Sequence, residues 1–199
     1  MAGLREHKKQ ETRNALSWAA VRLAVERGFD NVLVEDIAAE AGVSPRTFNN
    51  YFASKAEAIS ARHLDRARMA ADVLAARPAD EPLWPALTAA VLANAGSGQD
   101  APDPQWTAGV RLMTSEPALL GEMLKAVAVA QRSLTEAIAR RTGTDPDRDM
   151  YPHLVAAAVG AAWQVATDRW ANADPPVPLA PLMREALTLL AAGLPDPTV

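Results

Sequence analysis

Cysteine is absent from this sequence of 199 residues, and aromatic residues account for only 5% of it. Without a thiol the chain can form no disulfide, no thiolate metal site and no cysteine nucleophile. Few aromatic and β-branched residues argue against a sheet, whereas the abundant alanine favours helices. No uninterrupted apolar run is long enough to cross a bilayer, and the charged N-terminus is not typical of a signal peptide. We therefore expect an all-α protein that is soluble, cytoplasmic and free of membrane contact.

Charge is distributed unevenly along the chain. The formal net charge is −4, but residues 1–70 carry 11 basic and 9 acidic side chains, whereas the remainder carries 9 basic and 15 acidic ones. Four of the basic residues form a predicted N-terminal arm: Arg5, Lys8, Lys9 and Arg13. A positive N-terminal region is the distribution expected where a protein meets phosphate groups.

The segment that begins at residue 34 has the pattern of two short helices joined by a tight turn. The first helix is predicted to run from Val34 to about Ala41, because Ile37, Ala38 and Ala41 have the three- and four-residue spacing of one inward-facing side. Gly42 then supplies the turn, since glycine reaches positive φ without steric cost.

The second helix is predicted to begin at Pro45, with Ser44 as its N-cap, and to end near Phe52. At about 100° per residue, Phe48 and Phe52 lie on one side of this helix. The opposite side presents hydrogen-bonding side chains: Arg46, Thr47, Asn49 and Asn50. Arginine can bond guanine, asparagine can bond adenine, and threonine can contact a phosphate. The pattern predicts a helix-turn-helix head that places this helix in the major groove of double-stranded DNA.

The residues around this pair of helices complete a three-helix head. Ser54 and Glu57 form a predicted capping box that opens the next helix, and Tyr51 and Lys55 are predicted to contact the DNA backbone. A preceding helix, which ends near Gly28, is predicted to supply an apolar side: Ala15, Leu16, Ala19, Ala20 and Leu23.

A series of small, apolar and polar residues follows one order over about residues 9–60: Ala19-Ala20, Glu26-Arg-Gly-Phe29, Val34-x-x-Ile-Ala38, Ala41-Gly-Val-Ser44, Thr47-Phe48 and Tyr51-Phe52-x-Ser-Lys55. This order resembles the head of the tetracycline-repressor (TetR) family. The resemblance implies that Thr47, Tyr51 and Lys55 contact phosphates, and that a second set lies on or beside the base-reading surface: Ser44, Pro45, Arg46, Asn49 and Asn50. It also implies a homodimeric repressor that binds a palindromic operator.

Three positions depart from the usual pattern of this family. Leu33 stands where a capping threonine or serine is common, and Ala24 stands where a phenylalanine often packs. Asn49 and Asn50 replace an aromatic residue followed by histidine. The first two departures are expected to loosen the head. The third leaves the DNA-binding role in place, but the operator sequence cannot be taken from the family.

The rest of the chain has the pattern of a helical body, which gives about nine helices in total. Helices are predicted at about residues 54–76, 83–94, 104–114, 117–141, 149–171 and 179–193. We therefore expect a helix-turn-helix DNA-binding domain over residues 1–53 and a ligand-binding and dimerisation domain over residues 54–199.

Small residues dominate the predicted helix at 149–171, and they would let another helix approach closely. They are Ala156, Ala157, Ala158, Gly160, Ala161 and Ala162. Together with Leu182, Ala186, Leu189 and Leu190 of the last helix, they could form half of a four-helix bundle between two subunits. Packing within one chain is the alternative.

Eight apolar residues of the body are candidates to line a cavity: Trp84, Trp106, Leu112, Met113, Met123, Val127, Leu134 and Trp163. Each of them could instead be plain core. The family resemblance implies a small apolar or amphipathic effector. The segments Arg111–Leu119, Arg140–Gly143 and Trp170–Leu182 are similar to those of members with acyl-CoA-like effectors.

Two other classes of protein compete with this interpretation. His7, His63 and His153 have no metal or triad spacing, so we expect neither an enzyme nor a bound metal or cofactor. A helical adaptor, or a ligand-binding protein without DNA binding, would leave Arg46 and Asn50 without nucleic-acid contacts.

Overall fold

The computed structural model describes residues 2–93 and 104–196, without the side chains of residues 2–6, 62, 63, 66, 67, 104–106 and 114. The described residues form nine α-helices and one 3₁₀ turn, and no strand: α1 Ala2–Arg27, the 3₁₀ turn Phe29–Asn31, α2 Val34–Glu40, α3 Pro45–Asn49, α4 Lys55–Ala76, α5 Leu83–Leu92, α6 Pro104–Ser115, α7 Pro117–Thr142, α8 Met150–Ala171 and α9 Leu179–Ala191. The prediction of an all-helical chain with about nine helices is confirmed.

Helix α1 is longer than its apolar pattern indicated. The predicted arm that carries Lys8, Lys9 and Arg13 is the first half of this helix, which begins at Ala2. Four of the five apolar residues named in the sequence are buried: Leu16, Ala19, Ala20 and Leu23. Ala15, the fifth, is exposed. It lies next to the buried side, because one residue turns the helix by about 100°.

The turn between α2 and α3 has the geometry predicted from Gly42. Its φ is 68°, and its N–H donates to the carbonyl of Ala39 at 3.0 Å, while that of Val43 donates to Ala38 at 2.9 Å. This pair of bonds is a Schellman motif, which satisfies two carbonyls at the end of α2. Helix α3 ends at Asn49 rather than near Phe52, because the next N–H groups bond three residues back and tighten the chain.

The chain packs as two compact units that do not follow the order of the sequence. One unit comprises Met1–Leu64 and Asp103–Ala126, and the other comprises Asp65–Pro102 and Val127–Val199. Helices α4 and α7 therefore contribute residues to both units. The division into functional domains at residues 53 and 54 stays a prediction.

In the first unit, α6 lies directly against α1. A Cβ at Gly109 would stand only 2.7 Å from Cγ1 of Val21, so a larger residue at position 109 would push the two helices apart. Val110 and Met113, on the same helix, are buried. This close approach joins the N-terminal helix of the head to a segment about 90 residues later in the sequence.

In the second unit, α9 packs against α8 and α5, and Met183 and Leu187 are fully buried. The loop before α5 is bonded to the end of α7, because the Arg141 guanidinium donates to the carbonyls of Pro78 and Glu81. A hydrogen bond from the Arg77 guanidinium holds the pKa of Glu81 below its ordinary value of 4.5. These bonds fix the chain between α4 and α5.

Within residues 2–93 and 104–196, no helix has both the length and the apolar character that a bilayer crossing requires.

Candidate DNA-binding surface

Two phenylalanine rings anchor α3 to the head. Phe48 is 0% exposed and Phe52 is 2% exposed, and their ring centroids lie 5.7 Å apart. The Arg13 guanidinium lies 5.2 Å from the centroid of the Phe52 ring. Because both rings point inward, the opposite side of α3 must face outward, as the sequence predicted.

The outward side of α3 carries the predicted reading surface, which we define as Arg46, Thr47, Asn49 and Asn50. Arg46, Asn49 and Asn50 are exposed. Thr47 is half-buried, and its hydroxyl lies 2.9 Å from Oγ of Ser44. The arrangement leaves three long or amide side chains able to reach base edges, while Thr47 stays close to the helix N-terminus.

Short-range capping positions the ends of α3 and α4. Oγ of Ser44 accepts a bond from the Thr47 N–H at 3.1 Å, and Pro45 follows as the first helical residue, as predicted. Oγ of Ser54 accepts from the Glu57 N–H at 3.1 Å, and the Glu57 carboxylate accepts from the Ala53 N–H at 2.7 Å. The predicted N-cap bond of Ser54 is confirmed, but the Glu57 carboxylate bonds the N–H of Ala53 and not that of Ser54, so the reciprocal half of the predicted capping box is wrong.

Lys55 does not project outward like the reading surface. Its ammonium donates to the carbonyls of Phe29 at 2.7 Å and Val32 at 3.0 Å, and a third carbonyl, that of Asp30, lies at 3.4 Å. The ammonium also lies 4.3 Å from the centroid of the Phe29 ring. The predicted phosphate contact would require Lys55 to leave this position. Tyr51, the other predicted backbone contact, is half-buried just after α3.

Leu33 is the N-cap of α2 and is 60% exposed. Its side chain has no oxygen, so it cannot accept a bond from the first N–H groups of the helix. The carboxylate of Asp36 supplies only the reciprocal half of a cap, by accepting from the Leu33 N–H at 3.0 Å. Leucine at a position where serine or threonine is common therefore leaves α2 without a side-chain N-cap bond.

We predict that Leu33→Ser stabilises the head by about 1 kcal/mol, because serine adds the missing N-cap acceptor and completes the capping box with Asp36. Chemical denaturation of the full chain measures the change. Leu33→Ala is the matched control, since it shortens the side chain without adding an acceptor. Equal stability of the serine and alanine variants would contradict the prediction.

The predicted cavity residues occupy different environments. In the first unit Met113 is buried, and Leu112 and Met123 are half-buried; in the second unit Leu134 is buried, and Trp84 and Trp163 are half-buried. The side chain of Trp106 lies outside the described residues. Val127 is 41% exposed, which argues against its predicted place inside a cavity.

Buried hydroxyls are a feature of the body that the sequence analysis missed. Oγ1 of Thr135 on α7 and Oγ1 of Thr167 on α8 are buried and find no hydrogen-bond partner among the described residues. A buried polar atom without a hydrogen-bond partner lowers the stability of the fold, so these hydroxyls are candidates to bond a ligand. The only signal in the sequence is a threonine among the apolar positions of each helix.

Helices α8 and α9 leave an apolar side exposed on the second unit. We define the α8–α9 face as Leu154, Ala157, Ala161, Val165 and Leu189, all of which are exposed. Of the small residues predicted to meet a second subunit, Ala156 and Ala162 are buried within their own chain. Ala157, Gly160 and Ala161 are exposed and remain available for such a contact.

Comparison with known proteins identifies the family. A family model described as bacterial regulatory proteins, tetR family, matches residues 18–61, and a model described as the MftR C-terminal domain matches residues 81–195. The chain is 35% identical over 177 residues to the HTH-type transcriptional regulator TcmR of Streptomyces glaucescens. The matched region covers 84% of this chain and 76% of TcmR. The chain belongs to the TetR family. It is a DNA-binding transcriptional regulator.

Solved structures of TetR-family proteins share this fold. The fatty acid degradation regulator FadR from Bacillus halodurans has a TM-score of 0.60 at 18% identity, covering 92% of this chain and 96% of that one. Thermus thermophilus FadR, a transcriptional repressor solved in complex with lauroyl-CoA, has a TM-score of 0.52 at 21% identity, covering 94% and 97%. At these identities the likeness concerns the fold alone.

The match over residues 18–61 includes the whole reading surface. Among described residues, no group of three or more histidine, aspartate or glutamate side chains could hold a metal ion. His7 pairs with Glu11, and His153 bonds the Pro146 carbonyl at 2.6 Å.

Proposed function

We propose that the chain is a homodimeric repressor without enzymatic activity, which acts in the cytoplasm and leaves a palindromic operator when it binds a small effector. The observation that carries this proposal is the geometry of α3. Two buried phenyl rings, of Phe48 and Phe52, hold the helix to the head while Arg46, Asn49 and Asn50 stay exposed on its other side.

Each residue of the predicted DNA contact has a role that fits its chemistry. Arg46 can donate two bonds to a guanine, and Asn49 or Asn50 can pair with an adenine. The remaining residues contact the phosphates or support the surface: Ser44, Pro45, Thr47 and Tyr51. These contacts position the head, whereas the first three residues select the sequence.

The α8–α9 face supports the proposed homodimer. Four of its five residues follow one another at a helical spacing along α8, where Leu154 is 59% exposed and Val165 is 64% exposed. Two copies of a paired-helix face, related by a twofold axis, make a four-helix bundle. A twofold dimer would present two heads to half-sites about 34–36 Å apart.

The proposed effector is a small apolar or amphipathic molecule of the acyl-CoA-like class. The complex of Thermus thermophilus FadR with lauroyl-CoA supports this class of ligand. Within the second unit, the candidate lining combines apolar side chains such as Leu134 and Trp163 with the hydroxyls of Thr135 and Thr167. For the effector to release the operator, it must bind more tightly to a state in which the spacing of the two heads does not match the half-sites. A nearly complete switch requires that this preference amount to several kcal/mol.

The test of DNA binding is a fluorescence-anisotropy titration with a duplex that the wild-type chain selects from a random library. Arg46→Ala is expected to weaken binding by about 1–3 kcal/mol for each half-site, because it removes a bidentate contact. Arg140→Ala is the control, since it removes the same exposed side chain from the end of α7. If the wild type binds this duplex no more tightly than a random duplex, the result would favour a helical adaptor instead.

A further inference from the structure

The ammonium of Lys55 uses all its hydrogen-bonding capacity inside the head. A lysine has three N–H donors, and three carbonyl oxygens surround this one, at 2.7, 3.0 and 3.4 Å. The Phe29 ring, which is 8% exposed, covers the ammonium at 4.3 Å and adds a cation–π contact. The charge is therefore held by neutral partners rather than directed toward solvent.

The bonded carbonyls connect two elements that are distant in the sequence. Lys55 is the first residue of α4, whereas Val32 directly precedes Leu33, the N-cap of α2. One side chain thus ties the start of α4 to the start of α2. If Lys55 turned outward to a phosphate, it would give up these bonds and leave the carbonyls without their partner.

Two further sets of bonds fix the same turn of α4. The buried hydroxyl of Ser17 on α1 donates to the carbonyl of Ala58 at 2.6 Å. The bond between the Glu57 N–H and Ser54 Oγ and the bond between the Ala53 N–H and the Glu57 carboxylate join this turn to the segment after α3. The first turn of α4 is therefore bonded to α1, to the α1–α2 turn and to the segment after α3.

We propose that Lys55 is a positioning residue of the head, which contributes to operator binding by holding α2 and α4 in place and not by contacting a phosphate. The inference rests on the proposed function, in which α3 reads DNA. Because α3 follows α2 through a tight turn, the position of α2 sets the position of the reading surface.

Salt dependence distinguishes the two roles. Each phosphate contact by a cation contributes about 0.9 to the slope of log K against log salt, so a phosphate contact in both heads would contribute about 1.8. With the library-selected duplex, we expect Lys55→Met to lower the affinity by about tenfold or more and to leave the slope unchanged. A slope smaller by about 1.8 in this variant would overturn the proposal.

Replacement by arginine gives a second distinction. Lys55→Arg keeps the charge, and its planar guanidinium suits a phosphate but not three carbonyls that converge on one nitrogen. We expect this variant to bind DNA as weakly as Lys55→Met. Wild-type affinity in Lys55→Arg would overturn the proposal. Arg140→Met removes one positive charge from an exposed residue of α7 and is expected to change the affinity by less than about threefold.

Hydrogen exchange tests the positioning role without DNA. In the full chain, Lys55→Met is expected to increase amide exchange in peptides that cover residues 28–37, whereas Arg140→Met leaves their protection unchanged. Unchanged protection in Lys55→Met would overturn the proposal. A wild-type chain that selects no duplex would instead refute the proposed function, and the exchange measurement would still decide the role of Lys55.

Discussion

Replacing Phe48 with alanine is expected to destabilise the head by about 3–5 kcal/mol and to abolish operator binding. The ring is 0% exposed and packs at an angle of 52° to the Phe52 ring. Helix α3 has only five residues, too few to be stable without tertiary contacts. Loss of the Phe48 anchor would therefore release the reading surface together with the helix.

Denaturant unfolding, anisotropy titration and hydrogen exchange of α3 measure this effect. Phe48→Leu is the matched control, because it keeps an apolar side chain of nearly sufficient volume and is expected to cost less than about 1.5 kcal/mol. An alanine variant that unfolds at the wild-type denaturant concentration and still binds the selected duplex would contradict the role assigned to Phe48.

Replacing Val165 with glutamate is expected to convert the proposed dimer to monomers of 21.2 kDa. Val165 is 64% exposed on the α8–α9 face, and a twofold axis would bring two unpaired carboxylates into the same apolar contact. A single head retains half of the DNA contacts. Affinity for the palindromic duplex is therefore expected to fall by about 10²–10⁴-fold, the usual gain from joining two binding sites.

Light scattering after size-exclusion chromatography measures the mass of this variant. Gln164→Glu is the matched control, since it introduces the same charge at the adjacent exposed residue, about 100° around the helix. We expect the control to stay dimeric. A dimeric Val165→Glu variant with wild-type affinity for the duplex would contradict the proposed interface.

Local signals in the sequence were sufficient to predict most of the head. The positive φ of Gly42, the capping by Ser44 and the bond between Ser54 and Glu57 each depend on residues within a few positions of one another. The inward position of the Phe48 ring follows from helical spacing alone. These features could be predicted because their physical causes are local.

The environment of Lys55 could not be predicted in the same way. Its acceptor carbonyls belong to residues 23–26 positions earlier in the chain, and a backbone carbonyl leaves no signature in the sequence. The start of α1 was also missed, because its first residues are polar and lack an apolar spacing. Both features depend on tertiary packing or on the whole helix.

Helix α7 shows why the cavity residues were harder to predict than the head. Its sequence has apolar residues on more than one side, so helical spacing does not decide which side is inward. Leu134 and Ile138 are buried, whereas Leu124 is 70% exposed and Val127 is 41% exposed. Packing partners from distant parts of the chain determine this choice.

The most direct test of DNA reading by α3 compares the duplexes that two forms of the chain select from a random library. We expect the wild type to enrich a palindrome with half-sites about 10–10.5 base pairs apart, and Asn50→Ala to lose the preference at one base pair in each half-site while keeping the others. Enrichment of the same palindrome by a variant in which Arg46, Asn49 and Asn50 are all alanine would contradict the assignment of these side chains to base recognition.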